Sequence, residues 1–363
     1  MKTLPLIKCL LPVLWLSSVV QAAQLSEPPI GELQSVAELP FRPGNVSVTP
    51  HGRIFATVHP FGRDEGLQLV EISTDGSAKP WPSSAVQSNA TNKSLTKLDS
   101  PLGLTQDGQG HLWVIDMGQH TGRTQLWGFD IATGRNIKQL VLDEQVAPPG
   151  SFVQDIVVDG ELGFAYLADI AANALIAVNL KTGHATQFQD HFSLQPDVDA
   201  EMQIDGKKTQ FAGQPARVGV NPLTLSGDGE YLFYGAMTGT HWYRVNTKAL
   251  RLGNHETIAA SVTLVGHKPV SDGAATSSSG KHYFTNLNQG AIDVLDNGKL
   301  STLSQSPQLS WPDNVQLGEP GWLYVAVNQL HLTPAFTGGE DLGKAPYRIM
   351  RVWVGATEHR VNR

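Results

Sequence analysis

The stretch Ser100-Pro101-Leu102-Gly103-Leu104-Thr105-Gln106-Asp107-Gly108-Gln109-Gly110-His111-Leu112-Trp113-Val114 decides how the whole chain is read. A small polar residue opens it, and an alternating apolar triplet follows. A Gly- and Asp-rich turn then leads into a short aromatic-aliphatic run. Period-two alternation on both sides of a tight turn marks a β-hairpin. The same pattern starts at Gly44, Gln154, Asn221, Asp272 and Asp313, so the six starts lie 56, 54, 67, 51 and 41 residues apart. Such intervals suit propeller blades rather than helical solenoids. A second hairpin follows most copies, at 125–142, 174–188 and 291–303, through Thr133-Gly134, Thr182-Gly183 and Asn297-Gly298. Two hairpins per repeat predict four-stranded antiparallel blades, and six of them predict an all-β, six-bladed β-propeller. The sixth copy is followed by one clear strand, at 347–354, while an extra strand stands before the first copy, near 32–39. An open ring would leave two unpaired edges, so the early strand is expected to complete the last blade.

The composition agrees with one large domain over 23–363. Gly 36 and Pro 22 supply many turns, and 40% hydrophobic residues supply a core. Charged residues are only 16%, against roughly 25% in ordinary soluble domains. A net charge of -7 argues against a nucleic-acid partner, which clustered Lys and Arg would mark. Residues 1–22 read as a signal peptide: Lys2, an apolar run over 9–20, and Val20-Gln21-Ala22 as the cleavage site. Lys8 directly before Cys9 speaks against a lipoprotein anchor. Cleavage near Ala22 would remove Lys2, Lys8 and the one cysteine, leaving 24 basic against 33 acidic residues, a charge of -9. The expected product is a secreted or periplasmic monomer with no disulfide, no thiol and no membrane span.

Strand geometry also predicts where chemistry sits. The start of a hairpin's first strand and the end of its second lie together, opposite the turn. Every blade therefore sends both points to one rim of the ring. First-strand starts contribute Gly44-Asn45, Ser100, Gln154-Asp155, Asn221, Asp272 and Asp313-Asn314. Second-strand ends contribute His59, Asp116, Asp169, Asn286 and Asn328. Oxygen ligands gathered at one rim suit a hard cation such as Ca²⁺. The competing reading is that Asp and Asn at strand ends cap loops. Phe61, His120, Phe152, Trp242 and His331 are expected in loops at or near the same rim, with His59 beside them. An aromatic wall with carboxylates suits a small amine or other organic ligand. On this reading Asn45, Asp116, Phe152, Asp169, Trp242, Asn286 and Asn328 are ligand-binding candidates. The acidic, loop-like 195–213 accounts for the longest interval and reads as a rim lid or a tolerated insertion. Incomplete matches to a P-loop at 338–344 and to an EF-hand at Asp197, Asp199 and Glu201 carry no weight, because Ala345 and Met202 break them.

Several longer motifs carry a family resemblance. Arg42-Pro43-Gly44-Asn45-Val46-Ser47-Val48-Thr49-Pro50, Ala147-Pro148-Pro149-Gly150-Ser151-Phe152, Trp311-Pro312-Asp313 and Asn328-Gln329-Leu330-His331-Leu332-Thr333-Pro334-Ala335-Phe336 resemble signatures of the major royal jelly protein/Yellow family. The likeness runs over roughly 38–354 and implies a six-bladed propeller, distantly similar to gluconolactonases and senescence-marker-type lactonases. Eukaryotic members usually carry disulfides, so this chain looks like a bacterial-type member. Carried over from the lactonases, a divalent-cation site would fall on Gln154 and Asn221. Gly44 stands where their glutamate belongs, with Asp155, Asp272 and Asp313 as substitutes from other blades.

Three functions follow from these readings. The first is a propeller that binds a small amine, phenolic or sugar-like ligand at the rim. The second is a Ca²⁺-dependent hydrolase of lactones or esters, with Gln154, Asn221, Asp272 and Asp313 as ligands and Asp155 or Asp272 accepting the proton. The third, suggested by Yellow-type relatives, is a tautomerase of oxidised catechols using His59 as proton shuttle.

Overall fold

The computed structural model describes Met1 and residues 27–61, 66–73, 75–89 and 92–361. The signal-peptide reading lies outside the described residues. Six four-stranded antiparallel sheets form the ring. Blade 1 runs Pro43–Val48, Ile54–Val58, Leu69–Ile72 and Ala78–Pro80; blade 2 runs Pro101–Gln106, His111–Asp116, Gln125–Asp130 and Asn136–Val141. Blade 3 is Val153–Asp159, Phe164–Asp169, Ala174–Asn179 and Ala185–Phe188; blade 4 is Val220–Leu225, Tyr231–Ala236, His241–Asn246 and Thr263–His267. Blade 5 is Ala274–Thr276, His282–Asn286, Ala291–Asp296 and Lys299–Gln305. Blade 6 takes Pro312–Leu317, Trp322–Val327 and Tyr347–Trp353, and its fourth strand is Leu33–Leu39 from the other end of the chain. That strand pairs antiparallel with Tyr347–Trp353, Leu33 opposite Val352 and Leu39 opposite Tyr347, and so closes the ring as expected.

The burial of each strand explains its sequence. Second strands such as Trp322–Val327 are buried along their whole length, because neighbouring blades cover both faces. They read as continuous apolar runs. Outermost strands such as Asn136–Val141 are partly exposed and carry the polar residues. Apolar clusters fill each gap in turn. Phe55, Trp81 and Trp127 pack between blades 1 and 2, Ile115 and Leu167 between 2 and 3, and Tyr166 and Tyr234 between 3 and 4. Trp242 and Phe284 pack between 4 and 5, Tyr283 and Val325 between 5 and 6, and Val46 and Tyr324 between 6 and 1. The low charge fraction follows from this doubly covered layout.

Two departures from simple hairpins matter. In blade 4 the third and fourth strands are joined by short helices, Thr247–Leu252 and His255–Ser261, capped by the side chains of Asn246 and Asn254. The 195–213 insertion, with the residues that follow it up to Ala216, folds into two small hairpins, Gln203–Ile204 with Lys207–Lys208 and Gln210–Phe211 with Gln214–Pro215. It buries Met202, Ile204 and Ala216 against Met237, Val270, Leu287, Trp311 and Leu330. The insertion is thus a cap seated on the rim. No helix among the described residues is long and apolar enough to cross a membrane.

Candidate functional site

One irregularity, repeated around the ring, builds the site. Pairing between the first two strands shifts register near the start of the inner strand in blades 1, 2, 3, 4 and 6. A β-bulge of this kind leaves residues unpaired and re-aims their side chains. Blade 5 reaches the same end differently: Thr285 Oγ1 accepts from the N–H groups of Asp272 and Gly273, both at 3.0 Å. The equivalent position at the start of each inner strand holds Gly44, Leu102, Gln154, Asn221, Asp272 and Asp313 in turn. The second position, next in the chain, holds Asn45, Gly103, Asp155, Pro222, Gly273 and Asn314.

Residues of the first position meet. Asp272 Oδ1 accepts from Gln154 Nε2 at 3.0 Å and from Asn221 Nδ2 at 2.5 Å. Asp272 Oδ2 accepts from the indole N–H of Trp311 at 2.7 Å. Asp313 Oδ2 takes Asn328 Nδ2 at 2.6 Å, and Asn45 Nδ2 reaches Asp313 Oδ1 at 3.5 Å. Residues of the second position stitch neighbouring blades. Asn314 Oδ1 accepts from Val46 N–H at 3.1 Å, and Asp155 Oδ2 from Leu223 N–H at 3.2 Å. Where that position is glycine, the next blade's backbone fills the space: a Cβ on Gly273 would lie 2.6 Å from Asp313 O.

The electrostatics follow from burying three carboxylates together. Burial raises Asp155 to about 7, with the charge of Asp272 adding to the rise. Burial likewise raises Asp272, against donors from Trp311, Asn221 and Gln154. Asp313 rises well above the carboxylate range through burial and its neighbours Asp272 and Asp155. A buried cation stands nearby. Lys268 is 1% exposed, and its Nζ donates to Gly239 O, Pro269 O and Ser271 Oγ. Burial lowers it to about 7, while Asp197 and Asp272 oppose the fall. Its stem runs where a Cβ on Gly235 would come within 2.6 Å of Lys268 Cε.

The other sequence candidates divide by what their side chains hold. Asp116 accepts from the N–H groups of Asp99, Ser100 and Gly118, and Asp169 from those of Phe152, Ala171 and Ala172. Asn286 bonds Asp293 and the Gln289 N–H. These three act as loop staples, as the capping reading anticipates. Trp242 does not lie in a rim loop: it sits in the third strand of blade 4, edge-on to Phe284 at 5.0 Å. The aromatic run of 241–246 alternates with the pleat, so it extends the blade instead of leaving it. His59 is 2% exposed and its Nδ1 accepts from the Phe61 N–H at 3.1 Å, which fixes the loop presenting Phe61. Phe152 faces Phe61 at 6.2 Å between centroids, at 64°.

Above the carboxylates an aromatic arc links the rim to the cap. Phe61 stacks near Phe211 of the cap, Phe211 meets Phe336, and Phe336 lies edge-on to Trp311, which stacks on His331. On the blade 2–3 side of this arc, Phe61, Met117, Gly118, Gln119, Gly150, Ser151 and Phe152 line a cavity of about 230 Å³. Trp311 and Lys268 were missed as site residues. Trp311 is quoted above only as part of a motif, yet its φ of 55° holds a bulky residue in the left-handed region, a placement that marks constrained sites. Lys268, four residues before Asp272, reads in sequence as an ordinary solvated linker lysine.

A lactonase-type cation site does not fit these residues. The position of the missing glutamate is occupied by neighbours: a Cβ on Gly44 would lie 2.6 Å from Leu102 Cδ1 and 2.7 Å from Thr57 Oγ1, so both side chains would have to move. Both oxygens of Asp272 are already taken by N–H donors. Among the described residues no three His, Cys, Asp or Glu side chains gather as metal ligands do.

Comparison with solved structures shows the same fold at low identity. Virginiamycin B lyase from Staphylococcus aureus is 13% identical, with a TM-score of 0.51 over 89% of this chain and 99% of that one. A luciferin-regenerating enzyme is 11% identical, with a TM-score of 0.56 over 91% and 97% of the two chains. A gluconolactonase, XC5397 from Xanthomonas campestris, is 11% identical, with a TM-score of 0.55 over 89% and 90%. No curated protein matches. The family described as major royal jelly protein matches over residues 100–355, from the bulge of blade 2 to the end of blade 6, and the chain belongs to that family.

Proposed function

We propose that this propeller binds a small aromatic amine or phenol at the rim. The carrying observation is the cavity between Phe61 and Phe152. Two rings stand at a steep angle over backbone from Gly118, Gly150 and Ser151. Ring walls of this kind take a flat π-face or a cation. At about 230 Å³ the cavity is smaller than the roughly 300–1,000 Å³ of drug-sized sites, so a single-ring ligand fits it best. The product would be exported, as the N-terminal sequence suggests, and would act outside the cytoplasm.

The test is calorimetric titration of the purified protein with tyramine, catechol and glucose, each with calcium and with chelator. Saturable binding of the ring ligands, insensitive to chelator and weakened about tenfold by Phe152→Ala, is the expected result. Heats that stay flat for all three probes would overturn the proposal. A lactone-opening activity abolished by chelator would replace it with the hydrolase reading.

A further inference from the structure

At the opposite mouth of the channel, the turn end of the blades, the segment 355–361 is fastened to the turns of blades 5 and 6. After the last strand, residues 355–361 cross the underside of the ring. Gly321 N–H donates to Glu358 O at 2.8 Å, and Ser278 N–H to His359 O at 3.0 Å. Arg360 forms an isolated antiparallel bridge with Ser277. The Glu358 carboxylate takes Lys281 Nζ at 2.9 Å and Ser279 Oγ at 2.7 Å. All these anchors lie on the turns of blades 5 and 6. They leave the Arg360 side chain to enter the channel.

Inside, its guanidinium spans two blades that are not neighbours in the ring. Nη1 donates to Gln316 Oε1 of blade 6 at 3.1 Å. Nη2 donates to Thr105 Oγ1 and Gln106 O of blade 2, at 2.6 and 2.7 Å. Beyond it lies a cavity of about 70 Å³ bordered by Asp155, Thr224, Thr276 and Asn314. At about 10–15 Å³ per water centre, that is room for a few waters or one small group.

Arg360 differs from the arginines that are locked in ion pairs. Arg42 is paired to Asp341, Arg53 to Glu71 and Arg348 to Glu38. Arg360 makes no ion pair among the described residues and is held by neutral oxygens. Burial lowers it to about 10, with Asp107 opposing the fall. Neutral acceptors set in a fork, with no carboxylate locking the guest, form a guanidinium receptor that can release.

We propose that the turn-side mouth is a recognition site for a guanidinium-bearing ligand, filled in cis by Arg360. The tail 355–361 is then a plug that such a ligand displaces. The proposal goes beyond the rim-ligand reading and stands independently of it.

The probe is methylguanidine at millimolar concentration, with methylammonium as the point-charge control. The full-length Arg360→Ala protein should bind methylguanidine one-to-one by calorimetry, and about tenfold more tightly than the wild type does. The ligand should also restore much of the melting temperature lost in the variant, and methylammonium should not. Adding Thr105→Val, which removes one acceptor, should weaken binding severalfold. Hydrogen exchange of the wild type carries the test even if Arg360→Ala fails to fold. Methylguanidine should speed exchange at Ser278 and Gly321, whose N–H groups hold the tail, and leave the inner-strand amides unchanged. A folded Arg360→Ala protein without saturable heat, or wild-type exchange untouched by the probe, would overturn the proposal.

Discussion

Replacing Gly273 with alanine tests the blade-to-blade contact that positions Asp272. The new Cβ would lie 2.6 Å from Asp313 O, 2.7 Å from Asn314 Cα and 3.0 Å from Val315 N. All three atoms are backbone, so no side chain can rotate away. The inner strand of blade 6 must move by several tenths of an ångström against a filled gap. Overpacking of this kind costs about 1–3 kcal/mol. Any Gly→Ala change also stabilises by about 0.4–1 kcal/mol through the unfolded chain. Gly227→Ala isolates that second effect, because Gly227 is exposed in a turn with nothing within 4 Å of its Cβ position. The chain-entropy effect cancels in the difference between the two variants. Urea unfolding should therefore place Gly273→Ala about 1–3 kcal/mol below Gly227→Ala. Equal unfolding midpoints would show that the blades do not approach as closely as described, and would refute the account of how the channel residues are held.

Two further perturbations probe separate interactions. Trp311→Phe keeps the ring contacts with His331 and Phe336 but removes the donor to Asp272 Oδ2; leaving a buried acceptor unsatisfied costs about 1–3 kcal/mol, so a loss below about 0.5 kcal/mol in urea unfolding would count against the contact. His282 is buried and held by Thr276 Oγ1 at 2.7 Å, and burial lowers its pKa from 6.5 to about 4. The unfolded chain binds the extra proton between those values, so this contribution is complete above pH 6.5 and is lost as pH falls towards 4. At 1.36 kcal/mol per unit it amounts to about 3 kcal/mol. The buried aspartates act with the opposite sign, so the reading is the difference between wild type and His282→Gln. Identical acid slopes for the two proteins would rule out this role for His282.

Blade number, strand order and ring closure were legible because they depend on local signals. A hairpin declares itself within fifteen residues, through alternation and a turn. Six such signals at propeller spacing, with a strand to spare at the N-terminal end, leave one way to pair every edge. The general position of the polar rim was equally accessible, since antiparallel pairing brings strand starts and ends together whatever the neighbours are. The wrong placement of Trp242 also had a local origin: a Gly-Thr-His-Trp sequence reads as loop until its pairing partner is known.

The roles of individual rim residues were decided only by tertiary structure. Asp116 and Asp272 belong to the same class by sequence, yet one staples a loop within its own blade while the other collects three donors across the channel. The difference rests on partners remote in the chain, Gln154 at a separation of 118 residues and Trp311 at 39. No local pattern encodes such a meeting, because it arises from ring curvature and from how far each blade rotates onto the next. Lys268 and Arg360 show the same limit. Lysine and arginine near a loop or a terminus are ordinarily solvated, and only the closed ring gives these two a buried set of oxygens to bind. The sequence therefore determined a closed six-bladed ring with a polar rim, through local pairing. The folded ring alone decided which polar groups face the channel and which segments lie against its two ends, because those contacts join residues distant in the chain.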